Sequence, residues 1–242
     1  MRLALISDIH GNLEALQAVL KDIETRQIDK VHCLGDVIGY GCDPVACLEL
    51  VDKHCDIKLM GNHEYAAIGV LPSEAMNLHA RQSIGWTLGQ LSDREISMIA
   101  DFDMTAEEDG HCLVHASPFE PDEWHYVLDR QAALRAFGQF DHQVAFNGHT
   151  HLPMIFCLTP TGTIRSIVGH DFDPDEESRY LVNVRSVGQP RDMDPRASYA
   201  IYDSREAAVT YYRVEYDIKA AQVKMTEAAM PALLIERLEI GK

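Results

Sequence analysis

The chain has no apolar run approaching the length needed to cross a bilayer, no Cys-x-x-Cys pair among its six cysteines, and a shortage of basic residues. Lysine and arginine number 21 against 38 aspartates and glutamates, a formal net charge of −17 at neutral pH. The first lack excludes an integral membrane protein of the helical kind. The second argues against a zinc ribbon or disulfide framework; Cys33, Cys112 and Cys157 sit inside apolar strand-like runs, as reduced structural thiols do. The third argues against partners such as a nucleic-acid polymer or a membrane surface, both of which call for basic patches. A small anionic substrate stays open, because metal cations and a few local arginines reverse the potential inside a cleft. Neither a G-x-G-x-x-G nor a G-K-[ST] motif is present, so a dinucleotide cofactor and a P-loop are unsupported. No internal repeat or low-complexity linker divides the chain. The four apolar residues before Ser7 are too few for a signal-peptide core, and a cytoplasmic protein is the expectation.

At 242 residues the chain is long enough for one large α/β domain spanning 1–242. The apolar run Leu3 to Ile6 reads as a buried strand that ends in Ser7-Asp8-Ile9-His10-Gly11-Asn12. Asn12 to Arg26 follows as an amphipathic helix, with Leu13, Leu16, Leu20 and Ile23 on one stripe. Lys30 to Leu34 and Asp56 to Met60 read as further strands, and Asp43-Pro44 opens the helix between them. This β-α-β-α-β opening implies a mainly parallel sheet. Residues 66–102 turn helical, an expected insertion along the substrate cleft with Ser73 and Ser92 as helix caps. His111 to His115 and Gln143 to Asn147 read as strands, and a set of later strands from Met154 to Tyr216 suggests a second, largely antiparallel sheet. A C-terminal helical tail over 217–242, broken at Pro231, closes the chain.

The same plan recurs along the sequence: an apolar run, then side chains able to bind metal, most often beside a glycine. It yields Asp8 and His10, Gly35-Asp36, Gly61-Asn62-His63-Glu64, His115, and Gly148-His149-Thr150-His151. In α/β folds ligands bind at the carboxyl ends of strands, where these residues would gather. The ligand candidates are Asp8, His10, Asp36, Asn62, His115, His149 and His151. Taken singly, most have an ordinary alternative: Gly35-Asp36 as a turn, Asn62 as a helix cap, His115 as a hydrogen-bonded core histidine. Gly148-His149-Thr150-His151 is harder to dismiss, because two imidazoles bracketing one residue can address two adjacent metals. Together they give the mixed oxygen and nitrogen set that two divalent ions need, with a carboxylate to bridge them. Five of the twelve histidines, His63 included, fall within these motifs.

The series Asp-x-His, Gly-Asp, Gly-Asn-His-Glu, His, Gly-His-x-His resembles the calcineurin-like metallophosphoesterase superfamily over nearly the whole chain. The resemblance implies a four-layer α/β/β/α sandwich of two mixed sheets. It implies two divalent metal ions (Mn, Fe, Zn, Co or Ni), one held by Asp8, His10, Asp36 and His151 and the other by Asp36, Asn62, His115 and His149. Asp36 would bridge them, and a bridging hydroxide would attack phosphorus. His63, outside the ligand set, would face the leaving group as catalytic acid. The expected activity is hydrolysis of a small phosphorylated substrate: a phosphodiester, a phosphomonoester or a nucleotide polyphosphate, dinucleoside tetraphosphates among them. A scaffold that keeps the fold without turnover is the alternative, and the intact ligand set and His63 weigh against it.

Gly35-Asp36-Val37-Ile38 lacks the Asp-Arg-Gly continuation of the serine/threonine protein phosphatases. The Gly39-Tyr40-Gly41 loop, His115-Ala116-Ser117-Pro118 and Ser186-Val187-Gly188-Gln189-Pro190-Arg191-Asp192 look like the small prokaryotic phosphodiesterase-like branch. That branch usually reads Asn-x-Gly-Ser in its last motif, where this chain has Asn183-Val184-Arg185-Ser186. Arg185 and Arg191 are candidate phosphate-binding residues, since arginine grips two oxygens at once. Trp124 and Tyr126 are candidate stacking residues.

Overall fold

The computed structural model describes residues 1–168, 171, 172 and 174–242. Its first half alternates strand and helix: β1 (Arg2–Ile6), α1 (Leu13–Glu24), β2 (Lys30–Cys33), α2 (Pro44–His54), β3 (Ile57–Lys58) and α3 (Asn62–Ala67). Two insertion helices follow, α4 (Leu78–Leu88) and α5 (Asp93–Ala100), then β4 (Thr105–Glu108), β5 (His111–Val114), α6 (Arg130–Phe137) and β6 (Val144–Asn147). The remainder is β7 (Met154–Leu158), β8 (Ile164–Val168), β9 (Arg179–Asn183), β10 (Ala197–Asp203), β11 (Ala208–Val214) and the helices α7 (Ile218–Glu227) and α8 (Ala232–Ile240).

Two mixed sheets result, ordered β11-β10-β1-β2-β3 and β4-β5-β6-β9-β7-β8. The first three strands are parallel, as the β-α-β opening requires. The second sheet departs from the antiparallel expectation. β5, β6 and β9 are parallel, β7 turns back against β9, and β10 and β11 return to the first sheet. Strand β4, a hairpin partner of β5, was not foreseen: its exposed Thr105 and Glu107 and partly exposed Glu108 give no apolar signal. Such polar strands protect a sheet edge from further pairing.

Alternating burial shows why the sheets stack. Ala4 and Ile6 of β1 pack with Leu16, Val19 and Leu48 from α1 and α2, whereas Leu3 and Leu5 pack with Val144, Phe146 and Val182 of the other sheet. On the far side, Ala145, Phe156 and Leu181 cover Ala133, Ala136 and Phe137 of α6. Both sheets are thus buried on two faces, which is why their central strands read as continuous apolar runs.

The caps are mixed. Asn12 and Ser92 accept backbone amides as N-caps, but the helix expected after Ser73 begins only at Leu78, capped by Asn77. Asp43 stands at the start of α2 without capping it, because its carboxylate pairs with Lys224 of α7 at 2.5 Å. Lys224 also pairs with Glu14, at 2.6 Å. Helices α7 and α8 seat Met225, Leu234 and Leu238 against Tyr40 and Ala80, so the tail borders the Gly39-Tyr40-Gly41 loop. Among the described residues, no helix is long and apolar enough to cross a membrane.

Candidate metal centre

Past their last paired residues, β1 and β2 run on side by side as irregular chain. The amides of Asp8, His10 and Gly11 donate to the carbonyls of Gly35, Asp36 and Val37 at 3.0, 2.9 and 2.8 Å. Asp8, His10 and Asp36 therefore share one crevice, and the ends of β3, β5 and β6 bring Asn62, His115, His149 and His151 to it. All are buried except half-buried Asn62. The ligating atoms form close groups: Asp8 with His10 and His151, Asp36 with His115 and His149, and Asp36 with His10 and His63.

The backbone is strained at this place. Asp8, His10, Asp36, His149 and His151 have φ of 53°, 52°, 53°, 64° and 60°. Non-glycine residues avoid that left-handed region at a cost of roughly 1–2 kcal/mol each. Strain of this kind gathers where surrounding structure holds a site in place for function. Two glycines have a clear steric reason. A Cβ at Gly61 would stand 2.2 Å from Asp36 Oδ1, and one at Gly39 (φ 81°) would stand 2.0 Å from His63 Nδ1.

Three of the rings are tied to a carbonyl through one nitrogen. Nδ1 of His10, His115 and His151 donates to Ile38, Leu34 and Gln189 at 3.2, 2.7 and 2.6 Å. In the neutral rings this leaves Nε2 as a lone pair aimed inward. His10 Nε2 lies 3.1 Å from His151 Nε2, His151 Nε2 3.2 Å from Asp8 Oδ1, and His115 Nε2 3.3 Å from Asp36 Oδ2. His149 Nε2 and Asn62 Oδ1 are buried with no hydrogen-bond partner. Acceptors turned on acceptors repel unless a cation lies among them. The donor set fits divalent metal on this structural ground.

The carboxylates are held ionised. Burial alone would raise Asp36, but His115, His63 and His10 hold it well below the usual range. Asp8 is likewise lowered against its burial, chiefly by His151, and also accepts the His149 amide at 2.9 Å. Burial and neighbouring His115 push His149 down to about 3, keeping that ring neutral. His115 rises to about 9 against its burial because Asp36 favours a proton on it. A metal there would displace that proton.

Sequence reasoning missed Glu64. Its buried carboxylate accepts the amides of Asp36, Val37, Ile38 and Gly61 at 2.8 to 3.1 Å, fastening the Asp36 loop to α3. The available signal was position: Glu64 is the third residue of α3, where a glutamate reaches back to the first orphan amide. Gln189, whose carbonyl orients His151, was also missed.

Of the candidate substrate residues, Arg191 lines the pocket together with His63, Asn62 and Tyr126. Arg185 does not. It is 6 % exposed, stacked 4.2 Å from the Tyr211 ring centroid and turned toward Asp192 at 3.9 Å. Its φ of 72° shows why glycine suits that position. Trp124 is largely buried against Tyr65, with ring centroids 5.2 Å apart, and also lines the groove beside Tyr126. Tyr126 is exposed and lies over His149 at 4.1 Å. From here a groove runs along the insertion, walled by Leu71, Met76, Tyr126, Asp122 and Glu123.

Fold and site together define an α/β scaffold with a candidate divalent-metal centre at its strand ends. Residues 1–207 match the calcineurin-like phosphoesterase superfamily domain. The uncharacterised protein MJ0912 of Methanocaldococcus jannaschii is 37% identical over 246 aligned residues, covering 99% of this chain and 98% of that protein. A metallophosphoesterase from Sphaerobacter thermophilus is 37% identical with a TM-score of 0.87, each chain covered in full. The protein PH1004 of Pyrococcus horikoshii OT3 shares the fold at 18% identity and a TM-score of 0.81, covering 100% of this chain and 98% of its own. The chain belongs to the calcineurin-like phosphoesterase superfamily and is a metal-dependent phosphoesterase.

Proposed function

We propose that this phosphoesterase is binuclear, with Asp8, His10, Asp36 and His151 holding one divalent ion and Asp36, Asn62, His115 and His149 the other. The observation that carries the reading is the facing of His10 Nε2 on His151 Nε2 at 3.1 Å, beside the unpartnered His149 Nε2 and Asn62 Oδ1. Oxygen and imidazole ligands suit Mn, Fe, Zn, Co or Ni. Two such ions, when bound, polarise phosphoryl oxygens and lower the pKa of a shared water.

The substrate is a small phosphodiester, phosphomonoester or nucleotide polyphosphate. Its scissile phosphate sits over the centre and one substituent lies along the Tyr126 groove. His63 is the acid that gives a proton to the departing oxygen; its lining of the pocket and its unpartnered Nδ1 against the Gly39 turn support that reading. Arg191 supplies a fork of donors to phosphoryl oxygens. The test loads the protein with Mn²⁺, measures bound metal, and assays phosphomonoesters, phosphodiesters and dinucleoside tetraphosphates. His63→Ala should keep its metal and lose about 10²–10⁴-fold in turnover. Normal turnover in that variant would remove His63 from the mechanism.

A further inference from the structure

Resting on the phosphoesterase reading, we propose that Arg191 and Arg237 form an anion subsite beside the metal centre, which binds a second anionic group of the substrate. The two guanidiniums come from distant parts of the chain and meet on one atom. Gln189 Oε1 accepts from Arg191 Nη2 at 2.9 Å and from Arg237 Nη1 at 3.1 Å. Like charges brought together at a half-buried place repel, and something must offset that repulsion.

The Gln189 oxygen offsets only part of it, and no side-chain carboxylate of the described residues supplies the rest. Among the described residues, neither Arg191 nor Arg237 has an Asp or Glu carboxylate within 4.0 Å. Their neighbours in the same region are paired: Arg185 and Arg213 with Asp192, and Arg196 with Asp194. In a chain with 38 acidic residues, two adjacent half-buried cations without an Asp or Glu in ion-pair range are the reverse of what composition favours. Arg191 Nε is buried without a hydrogen-bond partner. Arg237 Nε donates to the main-chain oxygen of Lys242. Burial first, and then Arg191, bring the Arg237 pKa down to about 10, which still leaves it charged at neutral pH.

The pair is also indexed to the metal centre. Gln189 is 2 % exposed, its amide donates to Ser186 Oγ at 2.8 Å, and its carbonyl fixes His151. Arg191 faces the pocket, its guanidinium 5.9 Å from the Tyr40 ring centroid. The groove that adjoins the pocket at Asn62, Tyr126 and His149 carries Asp122 and Glu123 on its wall. That polarity orients a substrate, its extra charge toward the arginines and its uncharged end toward Tyr126. The class it selects is a phosphoanhydride or a bisphosphorylated small molecule over a simple diester. Arg237 lies beyond residues 1–207, so the subsite is completed by the C-terminal helices and not by the matched domain.

The experiment uses the full Mn²⁺-loaded chain, bis(4-nitrophenyl) phosphate as reporter, and a dinucleoside tetraphosphate as competitor with metal in excess. In Arg237→Gln the competitor's inhibition constant should rise at least about tenfold more than the reporter's KM, as expected when one charged fork is lost. Arg237→Lys should restore part of the difference. Arg205→Gln, the same charge change at an exposed residue, should shift neither. An inhibition constant that moves in step with KM, or does not move, overturns the subsite. If the wild-type protein turns over no phosphoester with any divalent metal, the hydrolase reading fails. Calorimetric titration of the tetraphosphate into wild type and Arg237→Gln then decides the subsite separately, equal affinities refuting it.

Discussion

His10 Nε2 faces His151 Nε2 across 3.1 Å while each ring spends its Nδ1 on a backbone carbonyl. Two neutral imidazoles so fixed present lone pair to lone pair, and only a proton or a metal between them relieves the contact. Divalent metal should therefore raise the thermal midpoint, and a chelator should reverse the gain. Metal at 100 times its Kd stabilises by about 2.7 kcal/mol. For a chain of this size that is a rise of roughly 5–10 °C. His151→Ala should melt with a smaller metal-dependent rise in a scanning calorimeter. A midpoint indifferent to metal in the parent protein would contradict the arrangement.

Glu64 governs the shape of the Asp36 loop. Four amides converge on its two oxygens, so Glu64→Gln puts an NH₂ donor against N–H donors and leaves at least one amide unsatisfied. The expected loss is about 3 kcal/mol in denaturant unfolding, from repulsion plus the unpaired group. Metal content should fall as well, because Asp36 would no longer be held. A variant as stable as the parent, with full metal content, would show that the loop is shaped by something else.

A pH dependence follows from the far side of the first sheet. Asp22 accepts from buried Tyr199 at 2.7 Å and from Arg26 at 2.7 and 3.0 Å. Burial would raise its pKa, and these bonds lower it instead. A carboxylate depressed by folding contributes stability above its unfolded pKa of about 3.9 and loses it as pH falls through the folded value. Asp22→Asn should therefore cost about 1–2 kcal/mol at pH 7, and that difference should narrow as the pH is taken below the unfolded pKa. A difference that stays constant across this range would mean the bonds do not depend on the charge.

Much of the centre was legible because its residues stand where apolar runs end. Leu3 to Ile6 fixes a strand, and Asp8 and His10 then have to emerge at its carboxyl end. What stayed hidden depends on contacts far apart in sequence. Glu64 reads as an ordinary first-turn acid until Asp36 to Ile38 are seen to converge on it. Arg237 is one charge among many on a terminal helix until Gln189, 48 residues earlier, brings Arg191 to it. Strand β4 escaped because a polar edge strand carries no alternating pattern. Left-handed φ at Asp8, His10 and Asp36 has no signature of its own, since residue type alone favours the opposite conformation.

Arg185 separates backbone from side chain. At φ 72° a Cβ is a burden, and the guanidinium recovers part of it by stacking on Tyr211. Arg185→Ala keeps the burden and loses the stack, whereas Arg185→Gly loses the stack and sheds the burden. The glycine variant should therefore be more stable than the alanine variant by about 1 kcal/mol. That inverts the usual order, in which alanine restricts the unfolded chain more than glycine and so stabilises the fold. Because Arg185 does not line the pocket, the KM for bis(4-nitrophenyl) phosphate should rise far less in either variant than in Arg191→Ala. Denaturant unfolding of the pair gives the first comparison and steady-state kinetics the second. An alanine variant at least as stable as the glycine one would show that residue 185 is not left-handed in solution. A KM raised as much as by Arg191→Ala would return Arg185 to the substrate.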